Sequence, residues 1–284
     1  MDEAWLQRFL AAEELPDSFR VTAERVCAPL ADMAAAARLR LARTAVIGIC
    51  GPQGSGKSTI AVATAELLGT RGIKAAILSL DDLYLSRAIR AELARTVHPL
   101  LLTRGPPGTH DPVLGFRVLA ELSAGGRTAL PRFDKAADEP RPRAAWPVVD
   151  GPVDVVLFEG WCVGARPQPT TALEAPVNAL ERDEDPEGRW RTFVNTSLAG
   201  TYQPLFAALD RFVLLLAPGF ETVIAWRAEQ EARLRARTGG GMPPEAIPRF
   251  VAHYERLTRW IAQEAPARAD RVVPLAADRT PLAP

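Results

Sequence analysis

Eight consecutive residues, Gly51-Pro52-Gln53-Gly54-Ser55-Gly56-Lys57-Ser58, fit the pattern G-x-x-x-x-G-K-[ST]. Glycines in such a loop let backbone N–H groups curl around phosphate oxygens at the start of a helix, where the peptide dipoles add positive potential. The spacing predicts that Lys57 reaches the β- and γ-phosphates of a nucleoside triphosphate and that Ser58 ligates Mg²⁺. Gly51, Gln53, Gly54, Ser55, Gly56, Lys57, Ser58 and Thr59 are therefore the candidate nucleotide-binding residues. A magnesium site of this kind needs an acidic partner on a neighbouring strand. Glu159, at the end of the apolar run VVLFE, suits that task, and Ser58 and Glu159 are the candidate metal residues. Asp81 and Asp82 close another apolar run, AILSL. One of them can accept the proton of a substrate hydroxyl, whereas an isolated Asp-Asp after a strand is more ordinarily a helix cap.

Lysine is scarce. The chain has Lys57, Lys74 and Lys135 and no other, against 31 arginines, so a retained lysine marks a place where a compact ammonium is needed. Lys57 belongs to the phosphate loop, and Lys74, in R-G-I-K ahead of a strand, reads as a surface residue. Lys135 lies in Pro131-Arg132-Phe133-Asp134-Lys135, with Arg141 and Arg143 close behind. A second unusual segment, Arg104-Gly105-Pro106-Pro107-Gly108-Thr109-His110-Asp111, joins a rigid turn to a cation, an imidazole and a carboxylate. A third, Glu159-Gly160-Trp161, sets a large aromatic beside the metal residue. Arg104, Lys135, His110, Asp111 and Trp161 are candidates for the acceptor pocket, the cations facing an anionic group such as a carboxylate. His110 bonded to Asp111 within the turn is the plainer alternative. Arg227 and Arg233 lie on one helical stretch before Gly239-Gly240-Gly241, either as a solvated face or as a lid that brings a guanidinium to the transferring phosphoryl group.

Strands and helices must position these groups. Periodicity predicts helices within 4–42, broken at Leu15-Pro16-Asp17-Ser18, and further helices at 57–69, within 84–100 up to His98-Pro99, and at 112–124, 193–208, 220–237 and 244–264. Buried strands are predicted at 44–50 and 153–160, further strands at 73–80 and 211–218, and an edge strand at 271–275. The stretch 131–152 reads as an exposed connection, 163–190 as irregular, and ERDEDPEGR within it as a solvated segment. Alternating strands and helices imply an α/β fold: three α/β/α layers around a central, mostly parallel sheet, with residues 1–42 as a helical segment packed on a domain of 43–284.

In order and spacing, GPQGSGKST (51–59), LSLDDLY (78–84), RGPPGTHD (104–111), PRFDK (131–135), LFEGW with Gly164, and Trp226-Arg227 with Glu229 or Glu231 resemble the D-glycerate 3-kinases. That family of P-loop kinases stands beside uridine kinase, phosphoribulokinase and bacterial pantothenate kinase. The resemblance implies ATP and Mg²⁺ as cofactors and phosphorylation of the primary hydroxyl of D-glycerate to 3-phosphoglycerate. It implies Asp81 as the catalytic aspartate with Tyr84 beside it, and Glu159 as the carboxylate of the L-F-E-G strand. With Lys57 these form the catalytic set, and Arg104 and Lys135 are the candidates for the glycerate carboxylate. Leu83 stands where the family has Phe, Phe133 where it has Tyr, and Ala136 where it has Ser. A related kinase for a nucleoside or pantothenate, and a silent ATP-binding regulator, are the alternatives. Retention of Lys57, Ser58, Asp81 and Glu159 opposes the silent regulator.

Composition narrows the class further. Hydrophobic residues at 48% and charged ones at 24% describe a globular chain. Net charge of +0 gives no basic excess for nucleic acid or an anionic membrane. No apolar run reaches the roughly 18–20 residues of a bilayer span. The acidic start MDEAWLQRFLAAEE lacks a secretion signal's basic and apolar regions. Cys27, Cys50 and Cys162, without a C-x-x-C pair, fit a reducing cytoplasm. The expected partner is a small hydroxy acid, and the oligomeric state is left open. The N-K-x-D of GTPases is absent, and Glu-Gly-Trp replaces the Asp-Glu of motor ATPases.

Overall fold

The computed structural model describes residues 2–282. Five strands form its central sheet: β1 (Ala45–Cys50), β2 (Ala75–Ser79), β3 (Val155–Gly160), β4 (Arg211–Leu216) and β5 (Arg271–Pro274). Their spatial order is β2-β3-β1-β4-β5 and every pairing is parallel. The chain leaves β1 toward β2 on one side and later returns to β4 on the other, so the carboxyl ends of β1 and β3 flank the point where strand order reverses. In an open parallel sheet that point is where ligands bind.

Both faces of the sheet are covered, which is why β1 and β3 are apolar at nearly every position and buried throughout. Side chains still alternate. Ile47, Ile49, Val155 and Leu157 share one core with Trp5, Phe9, Leu30, Leu68 and Leu215. Helices α1 (Glu3–Ala12), α2 (Ala28–Leu41) and α3 (Lys57–Gly69) supply part of that layer, so the N-terminal segment lies in the same core as β1. Val46, Val156 and Phe158 face the other core, with Leu119 and Leu122 of α4 (Pro112–Ala124) and Tyr254, Leu257 and Ile261 of α5 (Ile247–Glu264).

Several expectations are corrected. The helix expected from 84 up to His98-Pro99 does stop before that dipeptide, at Thr96, with a 3-10 turn at Pro99–Leu102, but it starts later, at Arg87 behind the Ser86 cap. The helix expected at 193–208 is Arg189–Ser197, then a wide-turn segment at Leu198–Tyr202, then Gln203–Phe206, with Gly200 non-helical between them. The connection 131–152 is no plain loop. Arg127–Ala129 pairs with Val148–Asp150, and Phe133–Asp134 with Glu139–Pro140, two small antiparallel ladders.

ERDEDPEGR is exposed at most positions, as expected, but two of its carboxylates turn inward. Glu181 is fully buried and holds Arg256 of α5 through two hydrogen bonds, 2.7 Å to Nε and 2.6 Å to Nη2. Asp185 is also buried. It accepts from the backbone N–H groups of Trp190 and Arg191 and pairs with the Arg191 guanidinium at 3.1 Å. Charge-rich composition signals solvent only while each charge lacks a fixed partner. Removing one member of a buried pair strands the other, at about 3–5 kcal/mol. Glu181→Ala should lower the unfolding free energy measured in urea by that amount, and an unchanged midpoint would show the pair to be dispensable.

Candidate active site

β1 runs directly into the glycine-rich loop. Gly54 sits at φ +73°, and a Cβ there would stand 2.6 Å from Cβ of Trp226, so both conformation and packing require glycine. Trp226 belongs to α6 (Phe220–Thr238) and is itself tied by its indole N–H to the Ala277 carbonyl at 2.6 Å. Arg279 closes the far side, donating to the Gly54 carbonyl at 2.6 Å and lying 5.3 Å from the Trp226 ring. Helix α3 begins at Lys57 behind Gly56, with no side chain capping its first turn. Its free N–H groups are open to an anion. Buried oxygens of Gln53 and Ser55 in the same loop have no protein partner.

Sheet register brings the carboxylates to this loop. Glu159 stands level with Ile49 of β1 and with Ser79 of β2, two residues before Asp81. Its Oε1 accepts from the Ser58 hydroxyl at 3.0 Å, whereas its buried Oε2 has no partner. A buried carboxylate oxygen left open beside a hydroxyl is a donor set of hard oxygens, which suits a divalent cation that takes its other ligands from phosphate and water. Among the described residues no cluster of three or more His, Cys, Asp or Glu side chains could hold a metal by itself.

Asp81 and Asp82 follow β2 in a 3-10 turn, Leu80–Leu83, and do different work. Asp81 accepts from the Tyr84 hydroxyl at 2.8 Å and from the Lys135 ammonium at 2.6 Å. Burial pushes its carboxyl up, but Lys135, Lys57 and the two hydrogen bonds outweigh it and hold Asp81 well below the usual carboxylate range. Lys135 is raised in turn by Asp81. Asp82 instead accepts the Phe133 backbone N–H at 3.0 Å and pairs with Arg132 at 3.3 Å, which fastens the Phe133–Pro140 hairpin beneath the site. Phe133 packs edge-on against Tyr84 at 5.2 Å.

The remaining candidates divide. Trp161 is buried, donating to the Gly105 carbonyl at 3.0 Å and packing on Tyr254, so it fixes the Arg104–Asp111 loop against β3. The Tyr254 hydroxyl fills the space where a Gly105 side chain would stand and donates to the Arg104 carbonyl at 2.8 Å. His110 is not bonded to Asp111. It stacks on Tyr84 at 4.6 Å and shares a 2.7 Å hydrogen bond with the Tyr202 hydroxyl through Nδ1. Burial lowers its pKa to about 3, so the ring is neutral, and its buried Nε2 is unpartnered. Asp111 caps α4, accepting the Leu114 N–H at 2.9 Å, a structural task. Arg104 is not a free cation, since it is paired with Asp138. Arg227 is paired with Glu231, its guanidinium 4.9 Å from the Phe250 ring, and Arg233 lies on the surface with Glu229 at 2.5 Å. Neither stands free to meet a phosphoryl group in this conformation. Arg90, Asp138, Tyr202, Tyr254 and Arg279 escaped sequence reasoning. None carries a local motif, and each reaches the site only through tertiary contacts.

A phosphate loop after β1, an oxygen pair at β3 and an aspartate after β2 define the class: a P-loop kinase for a small-molecule alcohol. The phosphoribulokinase / uridine kinase family matches residues 46–164. The uncharacterized kinase mug58 of Schizosaccharomyces pombe is 37% identical over 224 residues, covering 75% of this chain and 79% of that one. The chloroplastic D-glycerate 3-kinase of Arabidopsis thaliana is 34% identical over 220 residues, 74% of this chain, and this chain spans 46% of its length. Among solved structures, D-glycerate 3-kinase of Cryptococcus neoformans superposes with a TM-score of 0.77 at 26% identity, covering 90% of this chain and 97% of that one. The chain belongs to the D-glycerate 3-kinase family, an ATP-using phosphotransferase family with a small-molecule alcohol as acceptor. No helix among the described residues is long and apolar enough to cross a membrane.

Proposed function

We propose that this protein transfers the γ-phosphoryl group of ATP to the primary hydroxyl of D-glycerate, giving 3-phosphoglycerate and ADP. One observation carries the reading: beside the phosphate loop, Asp81 is paired with an ammonium, Lys135, whose side chain is 57% exposed. A hydroxy acid presents a hydroxyl and a carboxylate a few atoms apart, and this site sets a carboxylate that can meet the first beside a cation that can meet the second. The names of the Arabidopsis and Cryptococcus relatives support the same acceptor.

Lys57 and the N–H groups at the start of α3 hold the triphosphate. Ser58 and Glu159 would hold Mg²⁺, which when bound neutralises charge developing between the β- and γ-phosphates. The acceptor carboxylate takes Lys135 from Asp81. Asp81, still fixed by Tyr84, then accepts the hydroxyl proton as oxygen bonds to phosphorus and the bridging bond to the β-phosphate breaks. The transition state is loose, so a weak base suffices. His110, neutral and buried under Tyr84, serves the wall of the pocket. Three free, buried cysteines suit a reducing compartment such as the cytoplasm.

ADP release measured with glycerate, uridine, pantothenate and ribulose 5-phosphate tests the acceptor. Glycerate should be turned over best, and a clear preference for another alcohol would replace this reading. Lys135→Ala should raise KM for glycerate at least tenfold, the loss of roughly 1.4 kcal/mol or more of charge-assisted binding, while KM for ATP barely moves. Burial pushes the Asp81 carboxyl up and Lys135 is the chief cation holding it down, so the same variant raises its pKa. The acidic limb of the kcat/KM profile for glycerate, which reports the acceptor-free enzyme, should move to higher pH. Weakened ATP binding instead would place Lys135 on the nucleotide side.

A further inference from the structure

Lys135 does not stand on a rigid element. It occupies the four-residue loop, 135–138, of the hairpin pairing Phe133–Asp134 with Glu139–Pro140. Asp82 fastens one end of that hairpin. The other end is held by Asp138, which receives two guanidinium groups. Arg90 pairs with its carboxylate at 2.7 Å and donates to its backbone carbonyl at 3.1 Å, and Arg104 pairs with its other carboxylate oxygen. Arg90 is 1% exposed and also bonds the Leu85 and Leu102 carbonyls. It therefore ties the hairpin tip to segments that follow Asp81 and precede Arg104. Arg104 lies 5.5 Å from the Phe133 ring, and its second terminal nitrogen reaches the Lys135 carbonyl at 3.4 Å. Asp138 itself sits at φ +58°, a left-handed conformation that side-chain-bearing residues adopt only when surroundings enforce it.

We propose that Asp138, gripped by Arg90 and Arg104, is a positioning residue that sets where Lys135 stands and so how well the site takes an anionic acceptor. On this reading, which rests on the function proposed above, Arg104 acts through the hairpin and not on the acceptor. Arg104 is 21% exposed and committed to Asp138, whereas the Lys135 side chain is 57% exposed and its partner is Asp81 of the site itself. Burial alone would raise Asp138, yet the two guanidiniums hold it below its ordinary value, in keeping with a permanently ionised anchor.

Asp138→Asn is the decisive variant. Asparagine keeps the size and tolerates the left-handed backbone, so only the charge is removed. KM for glycerate should rise about 5–20-fold, while KM for ATP stays within about twofold and kcat within about threefold. In a Lys135→Ala background the same change should add nothing, because a misplaced hairpin has no ammonium left to misplace. Asp138→Gly, which relaxes the backbone but lacks the carboxylate, should match Asp138→Asn. Wild-type glycerate kinetics in Asp138→Asn, a parallel rise in both KM values, or full additivity with Lys135→Ala would each overturn the positioning role. A wild-type enzyme that ignores glycerate would instead overturn the proposed function itself, and the positioning role with it.

Discussion

Asp81→Asn is expected to lower kcat by roughly 10²–10⁴-fold with ATP binding nearly unchanged. The amide keeps the shape and can still meet the Tyr84 hydroxyl, but it cannot take a proton from the acceptor. It also loses the ion pair to Lys135, which stands at 2.6 Å in the acceptor-free site. That loss has an opposite sign on binding: a Lys135 no longer competed for by Asp81 should take the acceptor carboxylate more readily. The expected signature is therefore a large fall in kcat with KM for glycerate unchanged or lower. Asp82→Asn should act differently, since Asp82 holds the Phe133 N–H and Arg132 and faces no reacting group. Single-turnover and steady-state rates on both variants decide the matter. A large loss in Asp82→Asn with a small one in Asp81→Asn would reverse the assignment.

Lys57→Ala should reduce kcat/KM by roughly 10³-fold or more, because one fixed cation at developing phosphoryl charge supplies several kcal/mol that no neighbour can replace. The fold should be retained. Lys57 begins α3 and contributes no core contact, whereas Ile60, Ala61, Thr64 and Leu68 of the same helix are buried. Far-ultraviolet circular dichroism and the urea midpoint should match wild type while ADP release disappears. Near-normal turnover in a folded Lys57→Ala protein would refute the phosphate-site assignment. Ser58→Ala should leave residual activity that needs far more magnesium, since Glu159 alone would then offer a protein oxygen there.

Much of this was legible from local sequence. Phosphate binding depends on backbone N–H groups within eight contiguous residues, so its signal is local and survives without any knowledge of the fold. β1 and β3 are readable because strands buried on both faces are apolar at nearly every position, which left Glu159 as a conspicuous carboxylate at the end of one of them. Lysine scarcity singled out Lys135 before any contact was known.

Pairing was not legible, and pairing decides what each charge does. Arg104, Lys135, Arg227 and Arg233 are all cations near suggestive motifs, yet Arg104 is consumed by Asp138, Arg227 by Glu231 and Arg233 by Glu229, and Lys135 alone of the four meets Asp81. His110 beside Asp111 looked like a bonded pair, but the chain direction sends one to Tyr202 and the other to cap α4. Glu181 and Asp185 read as solvated because their partners, Arg256 and Arg191, are distant in sequence or separated by a turn. The sequence by itself therefore determined the phosphate loop, the strand ends and the chemical types available there. Only the tertiary structure decided which charge meets which, because an ion pair depends on distances that sheet order and hairpin packing set, and local spacing does not encode them.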